Sequence, residues 1–279
     1  MFELIIGKTK TYKTTHIKEI LPNLKTPVII LDFKKEYNDL EGAITFDLGE
    51  INPFTEPMDF QDAIAINAAT LEFSKYIEKS AEEVLKDVTK NDANWNTFKH
   101  HRLVYESLDR SLNSWNQTEN AFALEIRKFL YFNKSKQVHT LNDVLERIVS
   151  NDLIVLQSNG LHSTESRIIL FLLLSSIQRR NHHFTLISDN LNFIWKDGHL
   201  TNFLRVFDFS KIDSIFSFNK TSNIPNNFLA LIDQYKIFRL DSNNDYTFLK
   251  KNGLNVSSST KNAKPGVYQT LKVDKHISI

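Results

Sequence analysis

Short apolar runs alternate with polar turns and helix-like segments along most of the chain. The first run, Phe2–Ile6, precedes a polar turn and a segment, residues 15–21, whose pattern predicts the first turns of a helix. Residues 27–32 and 43–48 form further apolar runs with β-branched residues, which are typical of strands. Strand, loop, helix and strand in this order predict an α/β fold.

The same pattern resumes in the second half of the chain. A long apolar segment, residues 164–180, predicts a buried helix. Four further strands are predicted in the core, at residues 152–156, 184–189, 214–218 and 235–240. Polar residues 252–265 predict a flexible loop, and the alternation at 266–273 predicts a last edge strand.

Residues 57–150 have a different character, since they are polar, helical in pattern and poor in β-branched runs. We therefore predict a core formed by residues 1–56 and 151–279, interrupted by a helical insertion at 57–150. Asp59 and Thr140 are predicted N-caps in this region. Trp95 and Trp115 could stack on nucleic-acid bases, although core packing within the helical insertion is the favoured explanation.

The turn after the first strand carries the first candidate chemistry. Gly7 and the pair Lys13-Thr14 have the spacing of a P-loop, between a predicted strand and a predicted helix. Backbone N–H groups at such a helix N-terminus bind anionic oxygens, a lysine adds a positive charge, and a hydroxyl can ligate Mg²⁺. The candidate phosphate-binding residues are Gly7, Lys8, Thr9, Lys10, Thr11, Tyr12, Lys13, Thr14 and Thr15. A solvated turn after a strand is the alternative interpretation.

One position departs from the usual pattern G-x-x-x-x-G-K-[ST]. Tyr12 occupies the place of the second glycine. Glycine is favoured there because it adopts unusual backbone angles and lets the main chain approach a phosphate closely. We therefore expect Tyr12 to crowd the loop and to weaken nucleotide binding.

Composition excludes several classes of function. The chain has 279 residues, 41% of them hydrophobic and 24% charged, as in ordinary globular proteins. It has no cysteine, which excludes disulfides, thiol catalysis and cysteine-ligated zinc. The net charge of +1 gives no overall polycation, so nucleic acid would have to bind a local basic patch or an oligomer. No signal peptide or membrane span is predicted, which suggests the cytoplasm.

Two further motifs carry a resemblance to a known family. The run from Asp32 to Glu36-Tyr37 matches the pattern Asp-Pro-x-Gly-Glu-Tyr at its Asp, Glu and Tyr, and Asn52-Pro53-Phe54 follows. Together with the P-loop spacing, these motifs resemble the HerA/FtsK group of P-loop ATPases, which includes conjugation and viral genome-packaging ATPases. The resemblance implies a RecA-like core, with a mostly parallel sheet flanked by helices and nucleotide at the carboxyl ends of the strands.

The resemblance also implies roles for residues later in the chain. Asp189 ends an apolar strand as a Walker B aspartate does, so it would hold Mg²⁺ together with Thr14. Asn190 stands where the family has a water-polarising glutamate, and because Asn cannot accept a proton, we expect slower hydrolysis. Glu36 is the candidate to orient the water instead. Asn219 occupies the family's sensor position, and Arg205 is the candidate arginine for the γ-phosphate.

Two functions follow from this resemblance. The first is a ring-forming ATPase that binds ATP and Mg²⁺ and moves DNA, as a packaging or conjugation motor does. The second is a degenerate P-loop protein with weak or no hydrolysis, which would act as a structural or regulatory subunit. Tyr12 and Asn190 are the two departures that support this second function.

Overall fold

Ten strands form two sheets in the described part of the chain. The structure is a computed structural model that describes residues 1–52, 65, 69, 139–150, 152–158, 163–189, 203, 207–224, 226–229, 231–240 and 242–273. The strands are β1 (Phe2–Ile6), β2 (Val28–Leu31), β3 (Ile44–Asp47), β4 (Ile51–Asn52), β5 (His139–Thr140), β6 (Leu153–Gln157), β7 (Phe184–Ser188), β8 (Ile212–Phe218), β9 (Gln234–Ile237) and β10 (Gln269–Lys272).

The main sheet has eight strands in the order β10-β9-β1-β8-β7-β2-β6-β3. All neighbouring strands pair in parallel except β10, which pairs antiparallel with β9 at one edge. Strands β4 and β5 form a separate parallel pair. Because β1 lies between β9 and β8, the turn that follows it lies between the carboxyl ends of these two strands.

Five α-helices accompany these strands in the described residues. They are α1 (Lys13–Ile20), α2 (Leu141–Val149), α3 (Ser163–Arg179), α4 (Asn226–Leu229) and α5 (Asn243–Lys251). Short 3₁₀ turns lie at Leu21–Asn23, Leu48–Glu50, Thr221–Asn223 and Ser258–Asn262. Among these residues, no helix has both the length and the apolar character needed to cross a membrane.

The core lies on both faces of the main sheet. Every residue of β1 is buried, as expected for a parallel strand that is covered on both sides. Leu4 and Ile6 belong to the larger apolar cluster, which also contains much of α3. Ile5 points to the opposite face and joins a smaller cluster with Ile17 of α1. Helix α1 is therefore held against the sheet directly after the candidate phosphate loop.

The sequence pattern predicted the fold class, and the structure confirms it. The strands predicted at 152–156, 184–189 and 214–218 correspond to β6, β7 and β8, and the helix predicted at 164–180 corresponds to α3. Thr140 caps α2 in a reciprocal arrangement with Asp143, as its position predicts. Part of the predicted flexible loop instead forms the 3₁₀ turn Ser258–Asn262, in which the N–H of Ser259 donates to the hydroxyl of Ser257, the N-cap.

The domain boundaries remain a prediction. Most of the proposed insertion, including Asp59, Trp95 and Trp115, lies outside the described residues. Within that range the structure describes only residues 65, 69 and 139–150, where Ala65 and Ala69 are buried in the larger apolar cluster.

Candidate phosphate-binding site

The turn after β1 is anchored to both neighbouring strands. The N–H of Gly7 donates to the carbonyl of Phe218 at the end of β8, over 3.1 Å. The N–H of Lys8 donates to the carbonyl of Arg239, two residues after β9, over 3.0 Å. A side chain at position 7 would not fit, because its Cβ would lie 2.5 Å from the Cβ of Phe238. The first glycine of the motif is thus required by the close packing of the turn against the chain that follows β9.

The main chain of the turn has the left-handed geometry that the motif assigns to glycine. Tyr12 has φ 69° and ψ 24° and is the N-cap of α1, and Lys10 has φ 63°. Left- and right-handed residues in succession line an anion-binding concavity with N–H groups. The first N–H groups of α1 have no partner within the helix and add to that concavity. The Thr11 hydroxyl closes the turn by donating to the carbonyl of Lys8, over 2.8 Å.

The side chain of Tyr12 does not fill this turn. Its exposed fraction is 55%, so most of the ring lies in solvent. Tyr12 nevertheless lines the cleft that the loop forms, so the expected crowding of the loop stays a prediction. What the substitution costs is backbone strain, since a left-handed conformation costs a residue with a Cβ about 1–2 kcal/mol.

The ammonium group of Lys13 is buried and has all three of its N–H donors in use. It donates to the carbonyls of Gly7, over 2.6 Å, and Lys8, over 2.8 Å, and to Oδ1 of Asn219, over 2.9 Å. Burial lowers the pKa of Lys13 to about 8, although the nearby charge of Asp189 opposes the shift. The ammonium group of Lys13 is therefore held in place by its three acceptors, and its charged form is less favourable than that of a lysine in water.

The carboxylate of Asp189, directly after β7, is held by three hydroxyl groups from three parts of the chain. Its Oδ2 accepts from Thr14, over 2.6 Å, and from the phenol of Tyr37, over 3.1 Å. Its Oδ1 accepts from Ser217 on β8. Burial and the charge of Asp189 raise the pKa of Tyr37, so this phenol stays protonated and remains a donor. Asp189 is therefore in direct contact with Thr14, next to the candidate phosphate loop.

A second carboxylate, Asp32 at the end of β2, organises the segment that carries Glu36 and Tyr37. Its Oδ1 accepts from the N–H of Glu36, over 2.9 Å, and its Oδ2 accepts from the N–H of Tyr37, over 3.0 Å, and from Gln157 on β6, over 3.2 Å. Lys35, which stands at the glycine position of the family pattern, has φ 59°. The aspartate thus fixes a turn that brings Glu36 to 3.2 Å from the Thr14 hydroxyl.

The structure brings most of the predicted site residues to one place. The phosphate loop and Glu36 line an open cleft of about 480 Å³, together with Lys34 and Asn219. Asp189 borders the loop through Thr14. Asn190 and Arg205 lie outside the described residues, as do Pro53 and Phe54 of the third motif.

Two residues that the sequence analysis gave no role belong to the same site. Ser217 and Tyr37 both donate to Asp189. Ser217 lies on β8 and Tyr37 follows β2, and these are the two strands that flank β7. The position of Ser217, a hydroxyl residue two places before Asn219 on β8, is the sequence feature that indicates its role. Tyr37 is the last residue of the second motif, and its phenol donates to Asp189.

The oxygen atoms around Thr14 suit a hard divalent cation. The hydroxyl of Thr14 lies 2.6 Å from Oδ2 of Asp189 and 3.2 Å from Oε2 of Glu36, and Mg²⁺ prefers such oxygen ligands. Among the described residues, no cluster of three His, Cys, Asp or Glu side chains could hold a metal by itself. This donor set fits Mg²⁺ carried by phosphate oxygens and water, which is how Mg²⁺ is commonly bound with nucleotides.

Comparison with known proteins shows a structural likeness without sequence similarity. No family model matches the sequence, and no curated protein matches it significantly. The plasmid coupling protein TrwB in complex with the GTP analogue GDPNP is similar at a TM-score of 0.57 and 13% identity, over 90% of this chain and 73% of TrwB. TrwB in complex with ADP and Mg²⁺ is similar at a TM-score of 0.52 and 13% identity, over 85% and 71% of the two chains.

A virus protein gives a longer but weaker superposition. The genome-packaging NTPase B204 from Sulfolobus turreted icosahedral virus 2, in complex with ATP-γ-S, has a TM-score of 0.49 at 10% identity, over 97% of this chain and 91% of B204. The likeness to TrwB shows the fold: the chain has a RecA-like P-loop NTPase fold, with a mostly parallel sheet flanked by helices.

Proposed function

We propose that this chain is a P-loop ATPase that binds Mg–ATP and uses its hydrolysis to move DNA as an oligomer. The observation that carries the proposal is the convergence of Lys13, Thr14 and Asp189 at the carboxyl ends of parallel strands. Thr14 and Asp189 are joined by a hydrogen bond of 2.6 Å, and Lys13 directly precedes Thr14 at the start of α1. A helix N-terminus in the same turn favours anions.

Each of these groups has a distinct part in binding. The N–H groups of the turn and the ammonium of Lys13 would bind the β- and γ-phosphates. Thr14 and Asp189 would hold Mg²⁺, which supplies neutralisation of the charge on the phosphate oxygens. Tyr37 and Ser217 keep the carboxylate of Asp189 in one orientation, so little rearrangement of the side chain is needed on binding.

Glu36 is the proposed group for activating water. It is fixed by the Asp32-capped turn and reaches the Thr14 hydroxyl, so it stands at the rim of the phosphate cleft. A carboxylate there can accept a proton, which Asn190 cannot do. Asn219, which contacts Lys13, is the proposed sensor of the phosphate group, and Arg205 is the proposed arginine for the γ-phosphate.

The family resemblance is the basis for proposing that the chain acts on DNA and that it forms an oligomer. TrwB is named a plasmid coupling protein, and its structures with GDPNP and with ADP and Mg²⁺ support nucleotide binding on this fold. With a net charge of +1, a single chain has little general attraction for a polyanion. A ring that collects basic side chains around its axis would supply this attraction, and the cytoplasm provides both ATP and DNA.

Nucleotide binding is tested by thermal unfolding with a non-hydrolysable ATP analogue, with and without Mg²⁺. A ligand at one hundred times its Kd adds about 2.7 kcal/mol to the folded state. For 279 residues this corresponds to a rise in Tm of about 4 to 5 °C. Thr14→Val should lose the Mg²⁺-dependent part of the rise, and Thr14→Ser, which keeps the hydroxyl, should retain it. No rise for the wild-type protein would refute the proposal.

Turnover is tested separately by steady-state phosphate release with and without double-stranded DNA. A rate that DNA stimulates and that Glu36→Gln abolishes supports a motor. Binding without any turnover would instead favour the degenerate subunit, the function that the substitution at position 190 suggests. If Glu36→Gln leaves the rate unchanged, the assignment of Glu36 is wrong.

A further inference from the structure

The turn that carries Glu36 is joined at both ends to a single side chain of β6. We call residues 32–38 the Glu36 turn. Gln157 is the last residue of β6, and its Nε2 donates to Oδ2 of Asp32, over 3.2 Å, and to Oδ1 of Asn38. These two acceptors are the first and the last residue of the Glu36 turn, so one amide group connects the two ends.

The pairing of the strands places this amide beside the turn. Strand β2, which precedes the Glu36 turn, pairs in parallel with β6, and Leu31 is opposite Leu156. The N–H of Asp32 continues the pairing by donating to the carbonyl of Leu156, over 2.9 Å. Asp32 and Gln157 therefore leave the same edge of the sheet next to each other, and the sheet itself sets where the amide of Gln157 lies.

The contact between Gln157 and Asp32 is buried. Asp32 is 2% exposed and Gln157 is 5% exposed. Within the described ranges, the other donors to the carboxylate of Asp32 are the main-chain N–H groups of Lys34, Glu36 and Tyr37. Hydrogen bonds to an ionised group are stronger than those between neutral groups, and burial strengthens them further. Gln157 is thus the side chain that orients the carboxylate around which the Glu36 turn is formed.

A second side-chain contact, on the side of α1, lies at the surface. Lys18 pairs with Asp39, directly after the turn, and its ammonium lies 5.6 Å from the ring centroid of Tyr37. The side chain of Asp39 is 73% exposed. Exposed ion pairs contribute little, because water and salt screen them. The position of the Glu36 turn therefore depends more on Gln157 than on Lys18.

The side chain of Glu36 depends on its main chain for its position. It is exposed, and it reaches the hydroxyl of Thr14 over 3.2 Å. Tyr37, by contrast, is 1% exposed and is packed in the core, so its ring has support besides the turn. A general base must lie within hydrogen-bond reach of its water, and a displacement of about 1 Å can lower a rate about 100-fold.

We propose that Gln157 is a positioning residue for hydrolysis: its amide holds the two ends of the Glu36 turn, so that the carboxylate of Glu36 stays within reach of the attacking water. This inference rests on the proposed function, since it requires that Glu36 activates water. Gln157 itself contacts neither nucleotide nor metal in this proposal. Loss of its amide should therefore slow the chemical step and leave the affinity for Mg–ATP unchanged.

The test uses a substitution that keeps the size of the side chain. Gln157→Met has a similar length and lacks the amide. Phosphate release is measured in a single turnover, with protein in excess over ATP, and calorimetry measures the Kd of Mg–ATP. The rate should fall about 10- to 100-fold, while the Kd stays within about twofold of wild type. Gln178→Met, the same change on α3, removes a bond to the carbonyl of Asp208 and should alter neither value.

A double variant shows whether Gln157 acts through Glu36. In a chain with Glu36→Gln, Gln157→Met should lower the remaining rate by less than about twofold, because the group that it positions is already lost. A residue that only stabilises the fold would lower the rate by the same factor in both backgrounds, and this result would overturn the proposal. Asn38→Ala, at an exposed position, removes the other acceptor and gives the same comparison if Gln157→Met does not fold.

The outcomes separate this inference from the proposed function. If the wild-type chain releases no phosphate, the proposed function fails and the role of Gln157 fails with it. If the wild type releases phosphate and Gln157→Met does so at the same rate, the proposed function stands and Gln157 does not position Glu36. A weaker affinity of Gln157→Met for Mg–ATP, with an unchanged rate of the chemical step, would also overturn the proposal.

Discussion

Raising the pH from 7 to 9 should weaken Mg–ATP binding about tenfold through Lys13. In the free protein, burial lowers the pKa of this ammonium to about 8. About nine-tenths of the molecules carry the charge at pH 7 and about one-tenth at pH 9. Bound phosphate favours the charged form, so at the higher pH binding must first restore the proton. The apparent Kd therefore rises by the ratio of the two charged fractions.

The stability of the free protein should change in the opposite direction over nearly the same interval. The unfolded chain, with a lysine pKa of 10.5, binds more protons than the folded chain between about pH 8 and 10.5. The folded state therefore gains stability from Lys13 as the pH rises through this window. The two effects together distinguish the titration of Lys13 from a general loss of structure at high pH.

Isothermal titration calorimetry at pH 7, 8 and 9 and constant ionic strength measures the predicted change in affinity. The phosphate groups of ATP are ionised across most of this range, so their own titration contributes little. Lys13→Gln should bind ATP more weakly and with little dependence on pH. A wild-type Kd that is the same at pH 7 and pH 9 would refute the reasoning, because it would mean that the lysine keeps its charge or does not contact phosphate.

Three further predictions concern single substitutions. Glu36→Gln should lower phosphate release about 10²- to 10⁴-fold without abolishing ATP binding, whereas Glu41→Gln, at an exposed position after the same turn, should not affect the rate. Asp189→Asn should abolish the dependence of ATP binding on Mg²⁺, measured by calorimetry with and without the metal; a retained dependence would place the metal elsewhere. Tyr12→Gly should stabilise the free protein by about 1 kcal/mol and raise its Tm by about 2 °C. Gly253→Ala, at φ 79° with no atom within 4 Å of the added Cβ, should lower the Tm by a similar amount, and equal signs for the two changes would contradict the strain argument.

The sequence was sufficient to predict the sheet and the meeting of Lys13, Thr14 and Asp189. Apolar runs identified β1, β2, β6, β7 and β8, and parallel strands place their carboxyl ends at one edge of the sheet. An aspartate that follows one such strand then lies at the same edge as a loop that follows another, and the strand order, with β7 two places from β1, sets the distance between them. This argument uses only the order of the elements, so it holds for proteins whose side chains differ greatly.

The contacts that orient the site could not be predicted in the same way. Whether Ser217 faces Asp189 depends on the register between β7 and β8, in which Ile187 is opposite Ile215. One residue of slippage would turn Ser217 to the other face of the sheet. The contact from Tyr37 depends similarly on the turn that Asp32 caps, and its geometry includes a lysine with positive φ.

The backbone at positions 12 and 35 has a consequence for how such proteins are recognised. At both positions the family pattern has glycine, and at both this chain has a positive φ on another residue, Tyr12 and Lys35. A pattern written in residue letters counts each change as a mismatch, although a positive φ is the conformation for which glycine is favoured. A motif description that includes the sign of φ would therefore retain two positions that the residue letters lose.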